Sequence, residues 1–294
     1  GEISQNWHGE TISQEQNEAF PISNGMKIYS WNMLFRNKEL DRALEFISRS
    51  DFDIFCLQEV PEEFLKRLQT LPYFIAFRTD VERLFTKGTE HLFVVILSKH
   101  PIRAQGEIPF PDYGQLIPLR TRLFIYLMRP FHFSKIRNRG GIYADVTIGE
   151  HVLRIFNLHL VLAQPLWRLE EFEKAMTERD TAQPTIVCGD FNVLEAPHIT
   201  LLNWLLGGRI SDTVLYERER THIEKRFVEH ELTNALKGGI THPLSRSQLD
   251  HILLSKHYTV THAEIIPDRY GSDHHPIFVG LSKANRTNEK KGHT

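Results

Sequence analysis

The chain has 294 residues, 41% of them hydrophobic and 24% charged, with a formal net charge of -2 at neutral pH. Such a composition supports one large or two small globular domains with a sizeable core, and excludes a fibrous or low-complexity chain. The near-neutral total supplies no overall basic field, which disfavours non-specific DNA binding but leaves room for a local basic cleft.

No stretch approaches the ~20 consecutive apolar residues that cross a bilayer. The chain opens on Gly1 without a basic-then-apolar leader. It therefore reads as soluble, either cytoplasmic or the mature form of an exported protein. Residues 1–24 are polar, lack apolar periodicity and predict a loose arm, with the folded domain expected over 25–282. KIYSWN (27–32) is a short strand, and Leu40, Ala43, Leu44 and Ile47 predict a helix over Asn37–Arg49. DIFCLQE (53–59) is a buried strand; PEEFLKRLQ (61–69) then starts a helix with Pro61 in its first position. HLFVVILSK (91–99) is a further strand, while GGIYADVTI (140–148) and HVLRIFNLHL (151–160) form a hairpin turning at Gly149-Glu150.

A helix follows over Gln164–Glu178, then a strand over TIVCGDF (185–191) and a helix over Pro197–Leu206 stopped by Gly207-Gly208. LDHILLS (249–255), HAEIIPD (262–268) and PIFVGL (276–281) complete the strands, and residues 283–294 form a polar, basic tail expected to be disordered. Strands outnumber helices and no Pro/Gly-rich linker divides the chain. The pattern predicts two packed sheets with helices outside, in one domain. Cys56 and Cys188 both lie in apolar runs. They are expected to be reduced core thiols, because a disulfide scaffold carries many cysteines in a short chain.

Polar residues recur where the apolar strands end. Asn32 closes KIYSWN, Gln58 and Glu59 close DIFCLQE, and Asn157 and His159 sit in FNLHL. Asp190 and Asn192 follow in CGDFN, Asp250 in QLDHIL, and Asp273 and His274 in GSDHHP. Buried charge is costly unless paired or bound to metal, so these positions call for one shared cleft at a rim of the sheets. A phosphodiester repels hydroxide, and its hydrolysis benefits from a cation on the phosphate oxygens. Glu59 suits a hard cation such as magnesium, Asp190 suits an attacking water, and His159 and His274 suit phosphate contact or leaving-group protonation.

WN, QE, N-x-H, GDFN, the aspartate of LDHI and SDHHP occur in an order and approximate spacing that resembles the endonuclease/exonuclease/phosphatase superfamily, from about Lys27 to Leu281. The resemblance implies an α/β fold, a four-layer α/β/β/α sandwich of two mostly antiparallel sheets with the site at their top. It implies that Asn32 and Glu59 bind or position a magnesium or manganese ion, supported by Gln58, and that Asp273 assists the metal or its hydrogen-bond network. It also implies that Asp190, helped by Asn192, aligns the water, that His159 contacts the phosphate, and that Asp250 orients His274. The abasic-site branch usually carries tyrosine near the position of His159, so the chain is more similar to histidine-bearing branches such as pancreatic-type deoxyribonucleases and neutral sphingomyelinases.

Other residues read as support. Asn157 is expected to be structural, His251 and His275 to face away from the cleft, and His91, His151 and His242 to be surface or loop residues. The stretch 120–139 interleaves cations with aromatics. It reads either as an element touching nucleic acid or lipid, or as a strand and loop whose long cations cover apolar surface. On the first reading, neutralising Arg129, Lys135, Arg137 and Arg139 raises the Michaelis constant and leaves folding intact. The leading function is a metal-dependent phosphodiesterase acting on nucleic acid or a phospholipid headgroup. A phosphomonoesterase for inositol phosphates ranks lower, because no cluster of lysine and arginine lies near GDFN. A non-catalytic binding descendant need not keep His159, His274, Glu59 and Asp190 together. Oligomeric state stays open.

Overall fold

The computed structural model describes residues 25–85, 88–128, 135–194, 199–208 and 217–284. The polar arm and nearly all of the basic tail lie outside them. One sheet runs β12 (Tyr258–Ile265), β13 (Ile277–Lys283), β1 (Met26–Asn32), β2 (Ile54–Pro61), β4 (Gly88–Ser98), β3 (Phe74–Phe85) and β6 (Lys135–Arg137). The other runs β10 (Leu232–Asn234), β11 (Asp250–Ser255), β9 (Thr185–Asp190), β8 (His151–His159), β7 (Gly140–Ile148) and β5 (Ile102–Pro109). All pairs are antiparallel except β1 with β2 and β8 with β9.

Three apolar layers hold four layers of chain. Between the sheets, Ile28, Ile54, Ile96, Ile155, Ile186 and Ile252 make a core rich in β-branched residues, as two packed pleated faces prefer. Outside the first sheet, α1 (Leu40–Arg49) and α2 (Glu62–Leu68) bury Ala43, Ile47, Phe64 and Leu68 against Phe55 and Leu57. Outside the second, α4 (Pro165–Met176) and α6 (Glu217–Glu229) bury Phe172 and Phe227 against Phe156 and Phe191. The four-layer α/β/β/α sandwich is therefore present. Cys56 and Cys188 are free and buried, and burial raises the Cys56 thiol well above its usual range.

Several element ends differ from the sequence reading, each for a local reason. Helix α1 starts at Leu40 rather than Asn37. Asn37 is spent on the preceding loop: its Nδ2 donates to Met33 O and Tyr270 O, and its Oδ1 accepts from Glu39 N. Pro61 is extended (φ -68°, ψ 152°) and ends β2, so it precedes α2 instead of opening it. The helix placed over Pro197–Leu206 appears as α5 (Thr200–Leu205), ended by Gly207 at φ 110°, with 195–198 outside the described residues. Strand β12 begins at Tyr258, before HAEIIPD, and β13 extends to Lys283. The strand-and-loop reading of 120–139 is corrected: Leu119–Met128 is helix α3, followed after the undescribed 129–134 by β6.

One ion pair sits deep in the second helical layer. Arg168 on α4 has no exposure; its Nε donates to Glu219 Oε1 at 2.5 Å and its Nη1 to Leu162 O at 2.6 Å. Arg168→Ala is expected to destabilise the fold by about 3–5 kcal/mol, because a buried ion pair is broken and Leu162 O loses its donor. Denaturant melts compared at equal m-value test this; a loss under about 1 kcal/mol would reject it.

Candidate active site

Strand alternation explains the site. The inner face of β1 presents Met26, Ile28, Ser30 and Asn32; that of β8 presents Ile155, Asn157 and His159; that of β9 presents Ile186, Cys188 and Asp190. Each strand is apolar where it lines the core and turns polar at the same rim. The register then sets neighbours: Asn32 lies opposite Gln58, His159 opposite Asp190, and Asp190 opposite Asp250. Close approach of β8 and β9 depends on Gly189, whose φ is 142° and whose added Cβ would sit 1.8 Å from Leu158 O.

Two carboxylates reach the rim by irregularity instead of alternation. The pairing of β2 with β4 shifts between Leu57 and Val60, and within that bulge Glu59 takes φ 53°. The pairing of β3 with the same strand shifts between Thr79 and Val81, leaving Asp80 as the additional residue. Bulges turn a side chain out of the pleat's ordinary direction. Glu59 Oε1 comes to 3.7 Å from His159 Nε2, and Glu59 Oε2 accepts from Phe35 N at 3.1 Å. Asp80, with no exposed surface, places Oδ2 at 2.6 Å from His159 Nδ1.

A second aspartate–histidine pair faces the first. Asp250 Oδ2 lies 2.8 Å from His274 Nδ1. The Nε2 atoms of His159 and His274 stand 3.7 and 3.9 Å from Asp190 Oδ2, so one buried carboxylate lies between two rings. Burial pulls both imidazoles down, but the carboxylates outweigh it. Asp80, Asp190 and Glu59 push His159 up to about 9. Asp250, Asp190 and Asp273 push His274 up to about 10. Asp190 is raised, first by burial and next by Asp250, against the opposing pull of both histidines.

Asparagines fix these groups. Asn32 Nδ2 donates to Asp190 Oδ2 at 2.9 Å and to Glu59 Oε1 at 3.3 Å, while its Oδ1 accepts from Leu34 N. Its amide nitrogen, not its oxygen, therefore faces the carboxylates. Asn192 N donates to Asp190 Oδ1 at 2.9 Å, and its side chain is committed to Leu160 O. Below the cleft, Gln58 Nε2 donates to Asn157 Oδ1 at 2.7 Å, and Asn157 Nδ2 to Leu57 O and Val95 O, which ties one sheet to the other.

Asp80 and His242 escaped the sequence reading. Asp80 sits in FRTDVER, where Arg78 and Thr79 separate it from the apolar run Tyr73–Phe77 and only the bulge brings it inward. His242, expected to be a surface or loop residue, packs its ring 4.8 Å from that of His274. Ser245 N donates to its Nδ1, which leaves the ring hydrogen on Nε2, 3.6 Å from Asp273 Oδ2. Asp273 also lies 4.0 Å from His274 and is held low: burial opposes its charge, but the two histidines outweigh it. His251 faces away, stacked on Phe191 at 4.8 Å, and His275 bonds Ile266 O. Arg139 is no free substrate contact: it bonds Glu171 and donates to His159 O at 2.7 Å. Neutralising it would disturb the site, so it drops out of the neutralisation series; Arg129 lies outside the described residues.

The donor set suits a hard divalent ion. Glu59, Asp80, Asp190, Asp250 and Asp273 face two imidazoliums, an excess of negative charge, and Asp250 Oδ1 is buried without a partner. Oxygen donors at this density match a hard divalent cation over a soft one. Ligand atoms of Asp190, Asp250 and His274 lie within 4.8 Å of one another, as do those of His242, Asp273 and His274.

The sequence profile of the Endonuclease/Exonuclease/phosphatase family matches residues 29–274. Recombination repair protein 1 of Drosophila melanogaster is 26% identical over 278 residues, covering 86% of this chain but only 37% of that protein. Among solved structures, an endonuclease/exonuclease/phosphatase from Beutenbergia cavernae superposes with a TM-score of 0.59 at 15% identity, over 88% of this chain and 71% of that one. D. rerio TDP2 complexed with a single-strand DNA product superposes at 0.56 and 15% identity, over 88% and 99%.

Proposed function

We propose a reaction for this chain from one premise: it belongs to the Endonuclease/Exonuclease/phosphatase family, whose members are hydrolases of phosphoesters. The reaction is hydrolysis of a phosphodiester by water, dependent on a magnesium or manganese ion. The observation that carries it is the placement of Asp190 Oδ2 between His159 Nε2 at 3.7 Å and His274 Nε2 at 3.9 Å, each ring held from behind by a buried aspartate.

A divalent cation, when bound, neutralises phosphate oxygens and lowers the pKa of water. Glu59 and Asp190 are the residues that would hold it, with Asn32 bracketing both carboxylates. Asp190 aligns the attacking water and takes its proton. His159 and His274 present Nε2 hydrogens to the phosphoryl oxygens, and one of them protonates the leaving oxygen. Asp80 and Asp250 hold Nδ1 of each ring, which keeps that Nε2 hydrogen in place. Asp273 and His242 position His274 and offer a further donor at the rim.

Arg139, whose guanidinium donates to His159 O, is engaged by Glu171 and so is not available for the second negative charge of a monoester. Bis-p-nitrophenyl phosphate is therefore expected to turn over faster than p-nitrophenyl phosphate with magnesium present. A faster monoester would overturn the diester assignment in favour of a phosphatase. Asp80→Asn is expected to lower kcat about 10²-fold with little change in KM, since it removes the carboxylate that holds the His159 ring. Steady-state kinetics on the same diester decide it; an unchanged kcat rejects the positioning role.

A further inference from the structure

Helix α3 is turned inside out. Leu119, Leu123, Tyr126 and Leu127 recur at i, i+4, i+7 and i+8, the spacing of one helical face, and are 81%, 54%, 54% and 65% exposed. One flank and the opposite face are anchored to the protein. Arg120 donates to Trp204 O at 3.1 Å and to Gly208 O at 2.6 Å, and Thr121 is buried. The apolar stripe therefore faces outward by construction. Leu116, 65% exposed, extends it.

Helix α3 packs by its buried face beside the loop that follows His159. Gly207 packs against Thr121 on α3 and against Gln164, which precedes α4. Leu162, 44% exposed, is in that same turn, three residues after His159 and so within about 11 Å of it.

Charge identifies the occupant. Between Asp112 and Asp145 the sequence holds no carboxylate, and the two cations of α3, Arg120 and Arg122, flank the stripe and donate to backbone carbonyls. A second copy of the chain would set these cations against their own kind. Nucleic acid would gain little from the stripe, because bases stack on rings and three of its four helical residues are leucine. Aliphatic side chains flanked by cations suit the interface of an anionic bilayer. Resting on the phosphodiesterase reading above, we infer that α3 docks this protein on an anionic phospholipid surface, with the headgroup diester as the substrate class presented to the cleft.

The test is co-sedimentation of the full chain with phosphatidylcholine vesicles, with and without phosphatidylserine, for wild type and Leu123→Ser/Leu127→Ser. Wild type is expected to bind the phosphatidylserine vesicles more tightly and to release them as salt is raised, and the double variant to lose about tenfold or more in affinity. Circular dichroism and bis-p-nitrophenyl phosphate turnover are expected to be the same in both, since neither leucine touches the catalytic residues. Full vesicle binding by the variant, or none by wild type, overturns the docking surface. So does a single-stranded oligonucleotide bound by wild type and released by the variant, or a wild-type dimer that the variant abolishes. Vesicle binding without turnover of any diester would instead sink the reaction and leave the surface standing.

Discussion

Asp190→Asn will lower kcat by about 10³-fold or more and leave the protein folded, with a melting temperature equal to or above that of wild type. The activity loss follows, on the proposed reaction, from removing the one carboxylate that lies between both histidines and would align the water; general-base and charge terms of this kind are each worth roughly 10²–10⁴-fold. The thermal result follows from the same burial. Asp190 is 1% exposed and adjoins Asp250, so its negative charge is unfavourable in the folded state except where His159, His274 and Asn32 offset it. A neutral amide of the same size removes the repulsion, at the cost of a hydrogen bond from either Asn192 N or Asn32 Nδ2. Rate and stability thus move apart, as they do where a site is built against the preference of the fold. A variant that keeps wild-type kcat would remove Asp190 from the chemistry.

Chelation will abolish turnover, and magnesium or manganese will restore it, with Glu59→Gln raising the metal concentration needed by about 10²-fold. Glu59 offers two oxygens at the rim, one facing Asn32 and one held by Phe35 N, so losing its charge weakens a hard-cation donor. The measurement need not involve activity. An ion that binds only the folded state stabilises it by about 2.7 kcal/mol at a hundredfold excess over Kd, a readable rise in Tm. Wild type is expected to show that rise and Glu59→Gln to show it only at far higher concentration. Equal metal-induced shifts in the two proteins would place the ion elsewhere.

What could be read in advance followed from regular periodicity. Asn32, His159, Asp190 and Asp250 end strands whose apolar residues alternate into the core, so their convergence was visible before any coordinates. Asp80 and the exact direction of Glu59 were not, because both depend on bulges, where two residues oppose one and alternation fails. His242 depends on a loop closed by its own bonds with Ser245, a local geometry with no periodic trace. Strands β3 and β5 were missed because arginine, aspartate and glutamate interrupt their patterns. Helix α3 was misread for a different reason. Sequence reading assumes that an apolar face points inward, and here the protein puts it outside.

The bridge from Gln58 through Asn157 to Leu57 O and Val95 O has a mechanical meaning. Each sheet contributes half of the reacting groups, and this crosslink directly beneath them forbids sliding of one half past the other unless buried amides lose their partners. On the proposed reaction, catalysis on such a base is expected to proceed without hinge bending. The substrate adapts to a rigid anvil, and turnover should depend little on solvent viscosity.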